Sequence, residues 1–153
     1  MNGTCKAAVW VGEEDIRVMD VQLPECRDDG MIIKVEAASI CGTDLHVFHN
    51  KPSVPTILGH EVCGTIVEMG KNAHKTIKCY TGRLKIGDRI NLYPWITCGN
   101  CTSCLRFGVG ACGVCENSFV YGLPYECLGM SGKPVMTSSM ETEPYIKGGF
   151  SEY

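Results

Sequence analysis

Residues 59–69 read Gly-His-Glu-Val-Cys-Gly-Thr-Ile-Val-Glu-Met, and this stretch decides the fold. From Glu61 to Met69 it carries several β-branched residues and predicts a strong strand. Gly64 lies inside that strand, where a glycine indicates a β-bulge or a close backbone contact. The chain is therefore expected to be built around a β-sheet.

Strand patterns recur on the N-terminal side of this segment. Polar and apolar residues alternate over Asp15–Val21, which predicts a half-buried strand, and again over Met31–Ser39. In the second segment, the alternation places Ile33, Val35 and Ala37 on one face.

The remaining segments are shorter or irregular. Lys6–Val11 predicts a short strand, another should follow the Gly87-Asp88 turn, and Gly148–Tyr153 begins one more. Residues 41–50 lose the period-two pattern and are compatible with a helical turn, whereas prolines interrupt residues 118–147. The fold class predicted is β-rich α+β, as a single domain with long loops.

Charge and hydropathy exclude several classes of protein. Fourteen basic and 17 acidic residues give a net charge of −3, which does not favour a nucleic-acid partner. A hydrophobic content of 44% is too high for disorder, and no apolar run approaches the roughly 18 residues of a membrane helix. Residues 1–10 lack a secretory signal. We expect a cytoplasmic protein without membrane or nucleic-acid partners.

Cysteine is unusually frequent, with 11 residues in 153. An odd number without a secretory signal argues against a disulfide framework. Five cysteines are scattered and are read as small buried hydrophobes. These are Cys5, Cys26, Cys63, Cys79 and Cys127.

A cysteine-rich segment, residues 97–117, carries the strongest motif. The spacing C-x2-C-x2-C-x7-C is formed by Cys98, Cys101, Cys104 and Cys112. Four thiolates close a tetrahedron around zinc and leave no open position, so this site would be structural. Free or redox-active thiols and an iron–sulfur cluster are the alternatives. Cys115 makes the choice of ligands ambiguous, and Cys112 is preferred.

Residues 108–113 match G-x-G-x-x-G within the same segment. Dinucleotide binding by that motif requires a preceding strand and a following helix. The motif lies between cysteines and no helical pattern follows it, so it is read as a chance match.

Cys41 and His60 form a second group of metal-binding residues, drawn from two separate segments. Fewer than four protein ligands would indicate a catalytic zinc with an open position. Taken alone, one cysteine and one histidine are more often a chance pairing than a site.

Five phrases in the same order make the chain resemble a known family. They are CGTDLH at 41–46, GHE at 59–61, GDRI at 87–90, the four-cysteine motif and GFSEY at 149–153. This succession is similar to the N-terminal catalytic domain of zinc-dependent medium-chain alcohol dehydrogenases. Sorbitol and threonine dehydrogenases share a Cys-Gly-x-Asp-x-His phrase. The resemblance implies that residues 1–153 form a GroES-like β-barrel with a zinc-binding lobe at 97–117.

The resemblance also implies a ligand set for a catalytic zinc. Cys41 and His60 would bind the metal, and Glu61 would lie beside it, as a ligand in one state of some relatives. Asp44 would accept a hydrogen bond from the other ring nitrogen of His60 and orient the ring. An N-cap role for Asp44 is the plainer alternative.

The same resemblance implies hydride transfer between an alcohol and NAD or NADP. Thr43 would take the alcohol proton and His46 would pass it toward solvent through the cofactor ribose. Gly42, Thr43 and His46 would contact the cofactor, and the substrate would be a small-molecule alcohol, polyol or carbonyl compound. Thr43 as a turn residue and His46 as a surface residue are the alternatives.

The chain departs from the family at its end. The nicotinamide-binding Rossmann domain and the third protein ligand of the catalytic zinc lie beyond the position of Tyr153. The interpretation is a truncated domain, inactive by itself, that would form homo-oligomers only with the missing domain. The alternatives are a stand-alone zinc-binding β module that serves as a scaffold or interaction domain, and a thiol redox protein.

Other polar residues receive no catalytic role. His49 and His74 are predicted to lie on the surface. Five basic residues in a polar loop predict a solvated surface, with a phosphate- or acid-bearing substrate as the alternative. They are Lys71, Lys75, Lys78, Arg83 and Lys85.

Overall fold

The computed structural model describes residues 3–52, 55–77, 79, 82–116, 118–122 and 148–153, without the side chains at 76, 109, 112 and 119. The strands are β1 (Thr4–Gly12), β2 (Asp15–Gln22), β3 (Met31–Ser39), β4 (Thr56–Ile57), β5 (Glu61–Met69), β6 (Arg89–Asn91), β7 (Trp95–Ile96) and β8 (Phe119–Val120). The helices are α1 (Gly42–Phe48), α2 (Ala73–Thr76) and α3 (Thr102–Phe107), with a 3₁₀ helix at Gly108–Gly113.

The described strands form three antiparallel sheets. One has the order β2-β1-β4, the second has the order β3-β5-β6, and the third contains only β7 and β8. The β-rich class predicted from the sequence is therefore confirmed. Segments β3 and β5 begin and end at the predicted residues.

Gly64 of β5 makes the close backbone contact that the sequence predicted. A methyl group on Gly64 would overlap the carbonyl oxygen of Lys34 on the neighbouring strand. The pairing register shifts beside it, between Val35 and Ala37, as it does at a β-bulge.

The bulge overturns the predicted inner face of β3. Ile33 is buried and Val35 is half-buried, but Ala37 is exposed and Ala38 packs against the core instead. Glu36 is the extra residue of the bulge. It shifts the alternation of inward- and outward-facing side chains by one position, so that Ala38 instead of Ala37 faces the core.

Strand β2 is less buried than its alternation predicted. Only Val21 is buried, while Val18 is 75% exposed and Ile16 is 42% exposed. The strand lies at the edge of its sheet, so one long side has no neighbouring strand in the described part of the chain.

One core cluster fixes the position of helix α1. Trp10 of β1, Val47 of α1, Leu58 and Val120 of β8 are buried against one another. Leu58 lies two residues before His60, and Val47 lies on the helix that follows Cys41. This cluster therefore holds in place both segments that carry the second group of predicted metal ligands, Cys41 and His60.

Residues 148–153 link the first two sheets. The amide of Ala8 donates to the Phe150 carbonyl (2.8 Å), and the amide of Val35 donates to the Glu152 carbonyl (2.9 Å). The strand predicted at this position is reduced to a single bridge between Ala7 and Ser151. Closure of the sheets into a barrel stays a prediction.

The irregular segment predicted at 118–147 lies outside the described residues from 123 onward, as does Cys127. None of the helices in the described ranges is long enough and apolar enough to cross a lipid bilayer.

Candidate metal centres

Helix α1 presents the first of the predicted ligands. Cys41 is the N-cap residue, with an extended backbone (φ −85°, ψ 159°). Its amide donates to Oδ2 of Asp44, three residues later, at 2.8 Å. This contact satisfies a backbone donor that the first turn of a helix leaves unpaired. The N-cap alternative for Asp44 is therefore wrong in position, because Asp44 supports the N-cap from inside the helix.

The connection from β4 to β5 brings the second ligand to the first. Cys41, His60 and Glu61 each offer a ligand atom, and these atoms lie within 4.8 Å of one another. His60 is buried, Cys41 is half-buried and Glu61 is exposed. Residues that are 19 and 20 positions apart in the chain thus converge on one point at the protein surface.

Asp44 faces His60 from inside the protein. His60 Nδ1 lies 3.4 Å from Asp44 Oδ1, and the two residues are 6% and 3% exposed. Neither atom has a hydrogen-bond partner within normal geometry, so a closer approach of the two groups or a water between them would be needed to satisfy both. With Nδ1 turned toward Asp44, Nε2 is the ring nitrogen available to a metal.

The remaining predicted residues of α1 lie around this group. The Cys41 thiol lies 3.7 Å from the Thr43 hydroxyl oxygen, within reach of a weak hydrogen bond. His46 is exposed in the last turn, and Gly42 is exposed at the start of the helix. Thr43 is therefore beside a metal ligand, whereas His46 is one turn further along the same helix.

The second group of ligands lies in the segment between β7 and β8, which is called the lobe below. Four sulfur atoms lie within 4.8 Å of one another, those of Cys98, Cys101, Cys104 and Cys115. The sulfur of Cys98 is 3.9 Å from that of Cys104 and 3.6 Å from that of Cys115. Sulfurs bound tetrahedrally to zinc, at about 2.3 Å each, lie about 3.8 Å apart. These separations fit a metal and are far longer than the roughly 2.05 Å of a disulfide bond.

Local backbone geometry prepares two of the thiols for metal binding. Hydrogen bonding from the Asn100 backbone is the largest cause that lowers the pKa of Cys98 to about 6. The Glu116 backbone lowers the pKa of Cys101 in the same way. Burial acts in the opposite sense on Cys104 and raises its pKa to about 11. A thiolate is the form that binds metal, so a bound cation would have to favour the ionised form of Cys104.

The predicted fourth ligand, Cys112, stays a prediction. The Cys112 side chain lies outside the described residues. Among the described residues, the fourth sulfur of the group belongs to Cys115. The cysteine-rich segment contains helix α3, which Cys101 caps by accepting from the Cys104 amide at 3.5 Å. The 3₁₀ helix at Gly108–Gly113 follows. Helix α3, and not a strand, directly precedes that glycine motif, which agrees with reading it as a chance match.

The histidines without a predicted role are on the surface, as expected. His49 is exposed and its Nδ1 lies 2.6 Å from a carboxylate oxygen of Glu14. His74 is exposed on α2. Among the scattered cysteines, Cys5 is buried, and Cys26, Cys63 and Cys79 are half-buried.

Comparison with known proteins gives the family. Residues 27–153 match the family model of the alcohol dehydrogenase GroES-like domain. The chain belongs to this family. The resemblance that the sequence phrases indicated is thereby confirmed.

Individual relatives are identical to the chain at about a third of the aligned residues. It is 36% identical over 108 residues to D-arabitol-phosphate dehydrogenase of Enterococcus avium, covering 68% of this chain and 28% of that protein. It is 31% identical over 130 residues to L-threonine 3-dehydrogenase of Caldanaerobacter subterraneus subsp. tengcongensis, covering 80% and 34%. These relatives are dehydrogenases, and the chain spans about a third of their length or less.

A solved structure shares the architecture of the GroES-like domain. It is described as a zinc-binding dehydrogenase from Sinorhizobium meliloti 1021 and was solved bound to NADP. The two chains superpose with a TM-score of 0.69 and 31% identity, over 99% of this chain and 35% of the other.

Proposed function

We propose that residues 1–153 form the catalytic domain of a zinc-dependent alcohol or polyol dehydrogenase that uses NAD or NADP. The observation that carries this proposal is the convergence of Cys41, His60 and Glu61, with buried Asp44 behind the histidine. Membership in the alcohol dehydrogenase GroES-like family supports it. Because the chain spans only part of its relatives, hydride transfer by the whole protein is part of the proposal.

Two zinc ions fit the donor sets of the chain. The lobe supplies four sulfurs at separations that suit tetrahedral zinc, so its ion would be structural. Cys41, His60 and Glu61 supply three donors of different types, which leaves a position open for water or substrate. Zinc bound there supplies a Lewis acid for an alcohol or carbonyl oxygen.

The residues of the chain would perform the supporting steps. Asp44, whose Oδ1 lies 3.4 Å from His60 Nδ1, would accept from that nitrogen, orient the ring and thereby present Nε2. The Thr43 hydroxyl, beside the Cys41 sulfur, would accept the alcohol proton while passing its own proton on toward His46 through the cofactor ribose. His46 lies three residues further along the helix, on a neighbouring part of its surface, and is exposed, so it passes the proton to solvent. Gly42, Thr43 and His46 would contact the nicotinamide cofactor.

Substrate recognition by the basic cluster is not favoured by its position. Lys71 and Lys75 follow the end of β5 that is opposite to Glu61. Nine residues of strand separate the two ends by about 25 Å. Lys71 is also paired with Asp28 at 2.6 Å. The described residues of the cluster are therefore best read as a solvated surface, and we propose an uncharged or weakly charged small alcohol as substrate.

The test uses the protein expressed from its complete natural reading frame. Wild type should reduce NAD or NADP when small alcohols or polyols are added. In His60→Gln the rate should fall by more than about 100-fold, because several kcal/mol of Lewis-acid stabilisation are lost. Cys63→Ser is the matched control and should keep its activity. A folded, zinc-bound protein that reduces neither cofactor would contradict the proposal and favour the stand-alone β module.

A further inference from the structure

The peptide that carries His60 is packed tightly against Gly122. Gly122 has φ +70°, and a methyl group at this position would overlap the carbonyl oxygen of Gly59 and come within 3.2 Å of the His60 amide nitrogen. Gly122 itself is fixed, because it follows β8 and because the neighbouring Tyr121 amide donates to the Pro94 carbonyl at 2.8 Å. There is no free space between Gly122 and the backbone of the predicted metal ligand.

Residues 148–150 make further contacts to the same peptide. The Gly149 amide donates to the Gly59 carbonyl at 2.8 Å, and the Phe150 amide donates to the Leu58 carbonyl at 3.0 Å. A methyl group on Gly59 would lie 2.7 Å from the Phe150 ring. The Gly59 carbonyl is thus contacted by Gly122 and Gly149 together, and the ring of Phe150 packs against the Gly59 Cα.

This packing determines where the His60 side chain points. A metal ligand must be held within about 0.5 Å of its productive position. The His60 ring is buried and faces Asp44, so a displacement of its backbone cannot be absorbed by turning the ring away. We propose that Gly122 is a positioning residue for His60, and that it acts through the Gly59–His60 peptide. This inference rests on the proposed function, because it assumes that His60 binds the metal.

The experiment compares Gly122→Ala with Gly87→Ala. Gly87 has a similar left-handed backbone (φ +91°) but nothing within 4 Å of an added methyl group. Both variants therefore place an alanine in left-handed backbone, and only Gly122→Ala carries the clash. The probe is Co²⁺ added to metal-free, reduced protein, because its visible spectrum distinguishes a four-sulfur site from a mixed-ligand site.

We expect Gly122→Ala to lower the Co²⁺ affinity of the Cys41–His60–Glu61 site by about 10-fold or more. The four-sulfur site serves as an internal reference and should keep its affinity. Gly87→Ala should leave both affinities unchanged. Equal affinity of wild type and folded Gly122→Ala at the mixed-ligand site would overturn the inference.

A second variant tests the inference if the Gly122→Ala protein does not fold. Phe150→Leu removes the aromatic ring from Gly59 while keeping the backbone hydrogen bond to Leu58. A weaker mixed-ligand site in Phe150→Leu would support the premise that packing against the Gly59–His60 peptide positions His60, and an unchanged site would contradict that premise. If wild type fills only the four-sulfur site, the proposed function fails. The positioning of His60 is then tested by its imidazole NMR signals, which should move in Gly122→Ala and not in Gly87→Ala.

Discussion

The two candidate metal centres of this chain are built in opposite ways. The four sulfurs of the lobe come from one short stretch, 98–115, in which few side chains are buried. Cys41 and His60 come from separate segments that the cluster of Trp10, Val47 and Leu58 holds in place. A centre made from a loop depends on its metal for structure, whereas a centre made on a packed core has its shape before the metal binds.

The largest effect is expected when the lobe loses a sulfur. In Cys98→Ser, the free energy of unfolding of the zinc-loaded protein should fall by about 3 kcal/mol or more. For a chain of this length, the melting temperature should fall by about 6–12 °C. Differential scanning calorimetry with zinc present measures it.

Cys26→Ser is the control for that measurement, because Cys26 is half-buried and belongs to neither centre. It should change the free energy of unfolding by about 1 kcal/mol or less. Equal melting temperatures for Cys98→Ser and wild type would mean that the lobe does not depend on its metal.

The second effect distinguishes two neighbouring cysteines. Cys115→Ser should lose the metal of the lobe, because its sulfur lies 3.6 Å from that of Cys98. Cys112→Ser is the matched variant and should keep the metal. Zinc content and the Co²⁺ spectrum measure both. The opposite result would establish Cys112, the residue that the spacing favoured, as the fourth ligand.

A smaller, local effect is expected at the other centre. Asp44→Asn keeps an oxygen for the Cys41 amide but loses the negative charge that faces His60. The metal affinity of the Cys41–His60–Glu61 site should fall by about 10- to 100-fold, with the lobe unchanged. Asp20→Asn, on the exposed β2, is the control. Isothermal titration with Zn²⁺ measures it, and equal affinities would exclude an orienting role for Asp44.

The smallest effect is expected at the exposed ion pair next to the C-terminal end of α1. Glu14 pairs with His49, and both side chains are more than 60% exposed. Glu14→Gln should cost less than about 1 kcal/mol in unfolding free energy, whereas Val47→Ala in the core below the same helix should cost about 2 kcal/mol. Denaturant unfolding measures both. A larger cost for Glu14→Gln would show that surface contacts, rather than the core, hold the helix.

The sequence predicted the long strands well and the short elements poorly. The first and last residues of β3 and β5 were predicted correctly, because each strand has nine residues and a pattern of that length is rarely a chance alternation. The bulge at Glu36 was not predicted on β3, because it depends on the pairing with β5. Helix α3 has six residues and no apolar periodicity, and its start depends on the Cys101 cap.

The same contrast holds for the two centres. The lobe is visible from spacing alone, because its ligands are close in sequence. The backbone course of residues 105–114 decides which later cysteine reaches the other three sulfurs. This course cannot be predicted from the number of residues between the cysteines. Cys41 and His60 were paired only through the resemblance to a family, because core packing brings them together. Gly122 gave no signal in the sequence, since its role is a contact with a distant peptide.

The most direct test of the account is the zinc content of the protein after removal of loosely bound metal. Two centres predict about two zinc ions per chain. They also predict that His60→Gln reduces the content to about one zinc ion per chain. A wild-type content of about one ion, unchanged in His60→Gln, would contradict the claim that Cys41, His60 and Glu61 bind a metal.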